Sequence, residues 1–271
     1  VEPLKPIVKA NIVIGECTYS KRDNSMIKRD LQLDKQKMQT VIQQFCVENN
    51  HRVLIPTFSL DRFPLIMWEL YSQYGNDTNF NIPIILDSPL SNRLLDCYSS
   101  VLEGKAKNKF DEMMAWKNFK RVITPEDSRA AISDKKGKII LASSGMISAG
   151  RSIAWSRSIL SSVDDCILFI GYASANTLAY RIKHGKQQKT ININGKPCKN
   201  NCQIAELHSF SSHAQREQLL NYYKGYNCEK IYLVHSDSSR IEFKEDLEKE
   251  LSKCLKTTKI VAVNKSTKIY L

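Results

Sequence analysis

Four short stretches of the chain carry side chains able to do chemistry. Ser209-Phe210-Ser211-Ser212-His213-Ala214 lies between a strand pattern and a helix pattern. Hydroxyls and backbone N–H groups at a helix start can hold an oxyanion or a phosphate, and an imidazole there can donate a proton or ligate a metal. The same residues also suit a serine helix cap beside a solvated histidine. Val234-His235, followed by Ser236 and Asp237, closes an apolar strand pattern, and strand C-termini are where α/β folds build sites. A polar strand end with nothing bound has the same sequence. Gly15-Glu16-Cys17-Thr18-Tyr19 ends the first strand pattern. Its carboxylate could orient an imidazole or sit in a surface turn. Ser143-Ser144-Gly145-Met146, with Gly150 and Arg151 close behind, offers small residues that let a ligand approach the backbone and a guanidinium that suits phosphate. Its plainer reading is a turn with a surface arginine.

The elements that position these residues follow from periodicity. β-branched apolar runs at Ile12 to Ile14, Arg52 to Ile55, Ile82 to Leu86, Lys138 to Ala142, Cys166 to Gly171 and Ile231 to Val234 read as strands buried on both faces. Helical spacing over Leu31 to Asn49, Asp61 to Tyr74, Ser91 to Leu102, Ser152 to Leu160, Gln215 to Tyr223 and Phe243 to Leu255 alternates with them. This rhythm predicts an α/β architecture with a mainly parallel sheet flanked by helices. Thr190 to Ile193, the Asn194-Gly195 turn and Gln203 to Leu207 read as a hairpin-like return. Lys259 to Val263 and Thr267 to Leu271 read as a small β pair.

Composition narrows the function classes. Forty Lys and Arg against 28 Asp and Glu give a net charge of 40 − 28 = +12, spread along 271 residues. That meets the usual level for suspecting a polyanionic partner, although many basic proteins bind none, and the spread is that of a general field rather than of a basic tail. No apolar run is long enough to span a bilayer, so no membrane association is expected. The first residues lack the pattern of a signal peptide, and the missing Met at position 1 suggests a piece of a longer protein. Eight cysteines in a chain of this length are no disulfide scaffold. Cys17, Cys46, Cys97 and Cys166 lie in or beside apolar stretches, as buried thiols do. Cys198 and Cys202 lack nearby partners for a zinc site. Reduced thiols suit a cytoplasmic protein. Phosphate-loop, dinucleotide-binding, serine-elbow and H-E-x-x-H patterns are all absent.

Taken in order, the four stretches resemble the β-CASP branch of the metallo-β-lactamase superfamily. Within it the likeness is to the nuclease subunit of the cleavage and polyadenylation specificity factor and its bacterial and archaeal relatives. Glu16-Cys17-Thr18-Tyr19 resembles motif A, an acidic residue ending a strand. Pro56-Thr57-Phe58-Ser59-Leu60-Asp61-Arg62 is similar to a P-x-F-[AS]-x-x-R segment, Ala142 to Met146 to the A-S-S-G-M turn, and Gly171-Tyr172 with Thr177-Leu178 to G-Y-x-x-x-x-T-L. Ser209 to His213 resembles motif B and Leu233-Val234-His235 motif C. Family members often have glycine at Asp61, Ala149 and Asn176, and a Gly-Glu pair where Ser236-Asp237 stands. The family's H-x-H-x-D-H run occurs nowhere in these residues.

The resemblance implies a β-CASP domain over 21–207, flanked by metallo-β-lactamase portions at 1–20 and 208–271. It implies an RNA-processing, zinc-dependent phosphodiesterase, acting as an endo- or 5′-exoribonuclease with two zinc ions in the complete protein. On this likeness His235 is a zinc ligand, His213 the acid beside the scissile phosphate, and Glu16 the group that orients a histidine. Arg62, Ser144, Gly145, Ser211 and Ser212 meet substrate phosphates; for Arg62 a buried supporting role is the alternative. A histidine at motif C goes with RNA rather than DNA substrates. With most zinc ligands missing, the 271 residues alone are expected to be inactive. A non-catalytic RNA-binding scaffold and a DNA nuclease of the same superfamily are the competing readings. The likeness leaves room for a homodimer.

Overall fold

The computed structural model describes residues 10–20, 30–185, 190–211, 213–236, 241–264 and 266–268, with backbone alone at 241–243. In chain order the elements are β1 (Ile12–Glu16), α1 (Leu31–Ile42) continuing into a π-helical segment (Gln43–Glu48), β2 (Arg52–Pro56), α2 (Arg62–Tyr74), β3 (Ile84–Asp87), α3 (Pro89–Val101), α4 (Gly104–Met114), β4 (Phe119–Arg121) and α5 (Pro125–Ser133). There follow β5 (Lys138–Ala142), α6 (Arg151–Leu160), β6 (Cys166–Phe169), α7 (Leu178–His184), β7 (Thr190–Ile193), β8 (Lys196–Lys199), β9 (Gln203–Glu206), α8 (Arg216–Lys224), β10 (Lys230–Val234), α9 (Ile241–Cys254) and β11 (Lys259–Ala262). Two compact units contain them: Arg29–Ser211, and Val1–Lys28 with Ser212–Leu271.

The Arg29–Ser211 unit is built on a six-stranded sheet in the order β4-β3-β5-β2-β6-β9, parallel throughout. Alternation along β2 sends Val53 and Ile55 into one apolar cluster and Leu54 into the other. The first cluster takes Phe63, Ile66, Met67 and Leu70 of α2; the second takes Trp155, Ile159 and Leu160 of α6. Neighbouring β2 and β5 therefore send their chains to opposite faces. In open parallel sheets the point where neighbouring connections part to opposite faces is the usual ligand position, outside the C-terminal ends of the strands.

The expected hairpin takes a different partner. β7 pairs antiparallel with β8 across Asn194-Gly195, where both turn residues have positive φ, 50° and 79°. Such a two-residue turn closes on the residues next in sequence. Gln203–Glu206 is left to join the main sheet beside β6, in parallel. The expected terminal pair changes too: β11 lies parallel to β10, and 269–271 fall outside the described residues. Cys97 is exposed, because α3 buries Ser91, Asn92 and Leu95 and turns position 97 away from that stripe.

The other unit has a three-stranded parallel sheet in the order β1-β10-β11. Val13, Ile231, Leu233 and Ile260 pack against Leu219, Leu220 and Tyr223 of α8 and Leu247 and Leu251 of α9. Arg216, 8% exposed, bonds the Ser20 carbonyl and pairs with Glu250, joining the chain after β1 to both helices. Among the described residues no helix is long and apolar enough to cross a membrane.

Candidate active site

In the smaller unit the register pairs Glu16 with Val234. The ends of the two parallel strands β1 and β10 thus carry Glu16 and His235 to one edge. His213 stands just before α8, at the same edge. Tyr223 fixes the end of β1: its hydroxyl donates to the Glu16 carbonyl at 2.7 Å. A Cβ on Gly15 would fall 2.0 Å from that hydroxyl, so only glycine lets the ring lie there.

The Glu16 carboxylate accepts the Thr18 N–H at 2.9 Å and the Ala214 N–H at 3.2 Å, and lies 3.3 Å from His213 Nδ1. Burial alone would push its pKa up, but the hydrogen bonds from His213 and Thr18 outweigh burial and hold it down at about 2. The two imidazoles stack, with centroids 5.2 Å apart at 27°, and Tyr19 meets His213 edge-on at 5.9 Å. Thr18 Oγ1 sits between them, 3.2 Å from His213 Nδ1 and 3.0 Å from His235 Nδ1. His235 itself has φ +55°, a region that strains a residue with a Cβ and that clusters at functional sites.

Glu16, His213 and His235 form a group whose ligand-type atoms all lie within 4.8 Å of one another. Imidazole and carboxylate donors suit zinc. Hydrogen bonds already engage the inner atoms, however: both carboxylate oxygens and both Nδ1 nitrogens. His235 is exposed, and its Nε2 is the ring nitrogen left to a metal, since Nδ1 meets Thr18. A catalytic zinc takes about three protein ligands, so the remainder of its shell would come from other residues.

The second group lies in the larger unit, above β2, β3 and β5. Ser88 Oγ is 3.2 Å from Ser59 Oγ and 2.8 Å from Ser143 Oγ, and accepts from Ser91 Oγ at 2.8 Å. The Ser144 N–H is spent on the Ala149 carbonyl at 3.1 Å, and Ser144 Oγ accepts the Ser148 N–H at 3.1 Å. Gly145 lies against the Phe58 ring, where a Cβ would come within 2.9 Å. The Arg62 guanidinium covers that ring at 4.8 Å, and Gly171 lies against the guanidinium, a Cβ there meeting Nη1 at 2.8 Å. Two glycines thus bracket a Phe–Arg pair, and Arg62 is only 7% exposed. Arg151 is 3.5 Å from Asp87 Oδ1. Asp87 Oδ2 accepts from Trp155 Nε1 at 2.8 Å and Ser128 Oγ at 2.5 Å.

The structure therefore brings Glu16, His213 and His235 together in one unit, and Arg62 and Gly145 together, with Ser144 in the adjoining turn, in the other. Ser211 is half-buried in the larger unit. Ser212 lies outside the described residues. Sequence reasoning misses Thr18, because a threonine in a turn carries no distinctive pattern. It gives Phe58 no role beyond its place in the motif and misses Asp87, because both act through neighbours distant in sequence.

Comparison with known proteins gives matches to two domain families. Residues 64–182 match the Beta-Casp domain and residues 199–260 the Zn-dependent metallo-hydrolase RNA specificity domain. Transcription termination factor FttA of Methanocaldococcus jannaschii is 28% identical over 239 residues, 84% of this chain and 37% of the relative. A ribonuclease of Thermus thermophilus is 25% identical over 86% of this chain and 53% of its own length. Endoribonuclease YSH1 of Eremothecium gossypii is 24% identical over 86% of this chain and 31% of its own length. The chain thus spans between about a third and a half of these relatives.

Proposed function

The chain belongs to the β-CASP family of the metallo-β-lactamase superfamily, and from that premise we propose that it forms part of a zinc-dependent phosphodiesterase that cleaves RNA. The observation that carries this reading is the convergence of Glu16, Thr18, His213 and His235 at the ends of β1 and β10 and the start of α8. His235 would hold zinc through Nε2. Zinc, when bound, supplies Lewis-acid stabilisation of the charge that develops on a phosphodiester. Glu16 holds the Nδ1 edge of His213, so Nε2 is the nitrogen that faces the leaving oxygen: it accepts a proton in the neutral ring and delivers one from the doubly protonated ring, as a general acid requires.

Substrate contacts belong to the same proposal. Ser144, Gly145, Ser211 and Ser212 offer hydroxyls and backbone amides, groups that grip phosphate without reading bases. Within the turn, Ser144 spends its N–H on the Ala149 carbonyl, while its Oγ accepts the Ser148 N–H and keeps its own hydrogen to donate to a phosphate. The Ser144 hydroxyl and the Gly145 backbone are therefore both kept as phosphate contacts. Arg62 is assigned the supporting role, since it is buried between Phe58 and Gly171. The net charge of +12 favours a polyanion.

The test compares matched RNA and DNA oligonucleotides with the complete protein, with and without chelator. Chelator-sensitive cleavage of RNA in preference to DNA is the expected result. Preference for DNA would move the assignment to a DNA nuclease, and binding of RNA without cleavage at any zinc concentration would make the protein a scaffold.

A further inference from the structure

Thr18 is the group that touches both imidazoles, and its hydrogens can be counted. A threonine hydroxyl has one hydrogen to donate and two lone pairs to accept with. Its Oγ1 has three polar neighbours here: His213 Nδ1 at 3.2 Å, His235 Nδ1 at 3.0 Å and the His235 carbonyl oxygen at 3.0 Å. A carbonyl oxygen can only accept, so the single hydrogen goes to it. Each Nδ1 is then the donor: His235 Nδ1–H fills one lone pair, and His213 Nδ1–H is shared between the other and the Glu16 carboxylate 3.3 Å away. The left-handed backbone of His235, φ +55°, presents the carbonyl and the ring of one residue to the same oxygen.

We infer that Thr18 is a positioning residue that fixes His235, and together with Glu16 also His213, as Nδ1–H tautomers, so that each ring leaves Nε2 for other partners. For His235 this leaves a lone pair on Nε2, the form a metal ligand needs. For His213 it fixes which ring nitrogen faces a reacting group. The backbone N–H of Thr18 also holds Glu16, at 2.9 Å. Thr18 therefore bonds all three side chains, and it holds His235 without help from Glu16. The hydrogen count stands on geometry alone; its consequence for zinc and turnover rests on the reading proposed above.

Two-bond proton–nitrogen correlation spectra of the imidazole rings test it directly. The protein has five histidines, and single His213→Gln and His235→Gln variants assign the two signals. In the metal-free protein at mildly alkaline pH, both rings are expected to carry the proton on Nδ1, with Nε2 bare. Thr18→Val should release His235 to the mixed tautomers of a solvated imidazole, and Thr18→Ser should keep the native pattern. A His235 ring protonated on Nε2 in the unmodified protein overturns the inference, and so does a Thr18→Val spectrum identical to the native one. If Thr18→Val does not fold, the unmodified spectrum and the serine variant decide alone. In the complete protein, Thr18→Val should weaken zinc binding about 10–100-fold, the range for groups that orient metal ligands, with serine restoring it. Failure to cleave RNA would refute the nuclease reading, and the ring spectra would still decide the role of Thr18.

Discussion

Replacing Arg62 by alanine separates support from substrate contact. Arg62 stands at the first position of α2 and is 7% exposed, its guanidinium 4.8 Å above the Phe58 ring and against Gly171. Losing a cation–π contact of this kind costs about 0.5–2 kcal/mol. Emptying a buried volume beneath two glycines and an aromatic ring adds a cavity cost, for a total of about 2–4 kcal/mol. In a domain of this size, roughly 2–4 °C of melting temperature is lost per kcal/mol, so a fall of about 4–16 °C is expected. Thermal unfolding followed by circular dichroism reads this out. Titration of RNA binding against salt should give an unchanged slope, because no phosphate contact has gone. Gly171→Ala should act in the same direction, since its Cβ would meet Nη1 at 2.8 Å. Unchanged melting with a salt slope reduced by about one would refute the reasoning and make Arg62 a phosphate ligand. Altered base preference with both quantities unchanged would refute either version.

Other consequences follow from the same geometry. Asp87→Ala strands the Trp155 N–H and the Ser128 hydroxyl inside the larger unit; a loss of about 2–5 kcal/mol is expected from chemical denaturation, and a loss under about 1 kcal/mol would contradict the network. Asp61 holds φ +58° in a tight turn closed by Arg62 N–H to the Leu60 carbonyl at 2.7 Å; Asp61→Gly should raise stability by about 1 kcal/mol, and a melting point unchanged or lowered would contradict the strain. Burial pushes the thiol of Cys17 up to about 11 and those of Cys166 and Cys202 up to about 12, from an ordinary value of 9.0. These folded-state values are raised, so the stability they bring is complete below pH 9.0 and is lost as pH rises toward 11–12. Each thiol contributes a slope of up to about 1.4 kcal/mol per pH unit across that window; Cys166→Ala should flatten the alkaline limb of urea midpoints, and an equally steep limb would count against it. Cys97 and Cys254, which are exposed, should react with a thiol reagent before the buried cysteines do.

The sheet strands are legible because β2, β5 and β6 are short β-branched runs buried on both faces, a pattern that needs no knowledge of neighbours. α4 is hidden because its sequence, Gly-Lys-Ala-Lys-Asn-Lys-Phe, exposes most of its positions and buries few residues at helical spacing. α5 has a readable signal: Thr124, Pro125 and Asp127 form a capping box with proline in the first turn. The partner of β7 is easily mistaken because Gln203–Glu206 is itself strand-like, and only the tightness of the Asn194-Gly195 turn selects Lys196–Lys199 instead. Glu16, His213 and His235 can be singled out by residue type at strand and helix ends. Thr18 cannot, since its importance comes from three distances, 3.2, 3.0 and 3.0 Å, that only the pairing of β1 with β10 creates. The roles of Gly145 and Gly171 are equally hidden, because each is explained by a side chain far away in sequence, Phe58 and Arg62.

The division of labour between the two stacked histidines is the centre of the account, and zinc content measured alongside RNA turnover tests it most directly. In the complete protein, His213→Ala should lower turnover roughly 10²–10⁴-fold, the usual contribution of a general acid, with zinc content near normal. His235→Ala should lose a zinc ion together with activity. Loss of zinc from the His213 variant, or full zinc content and full turnover in the His235 variant, would contradict the assignment of proton transfer to His213 and metal binding to His235.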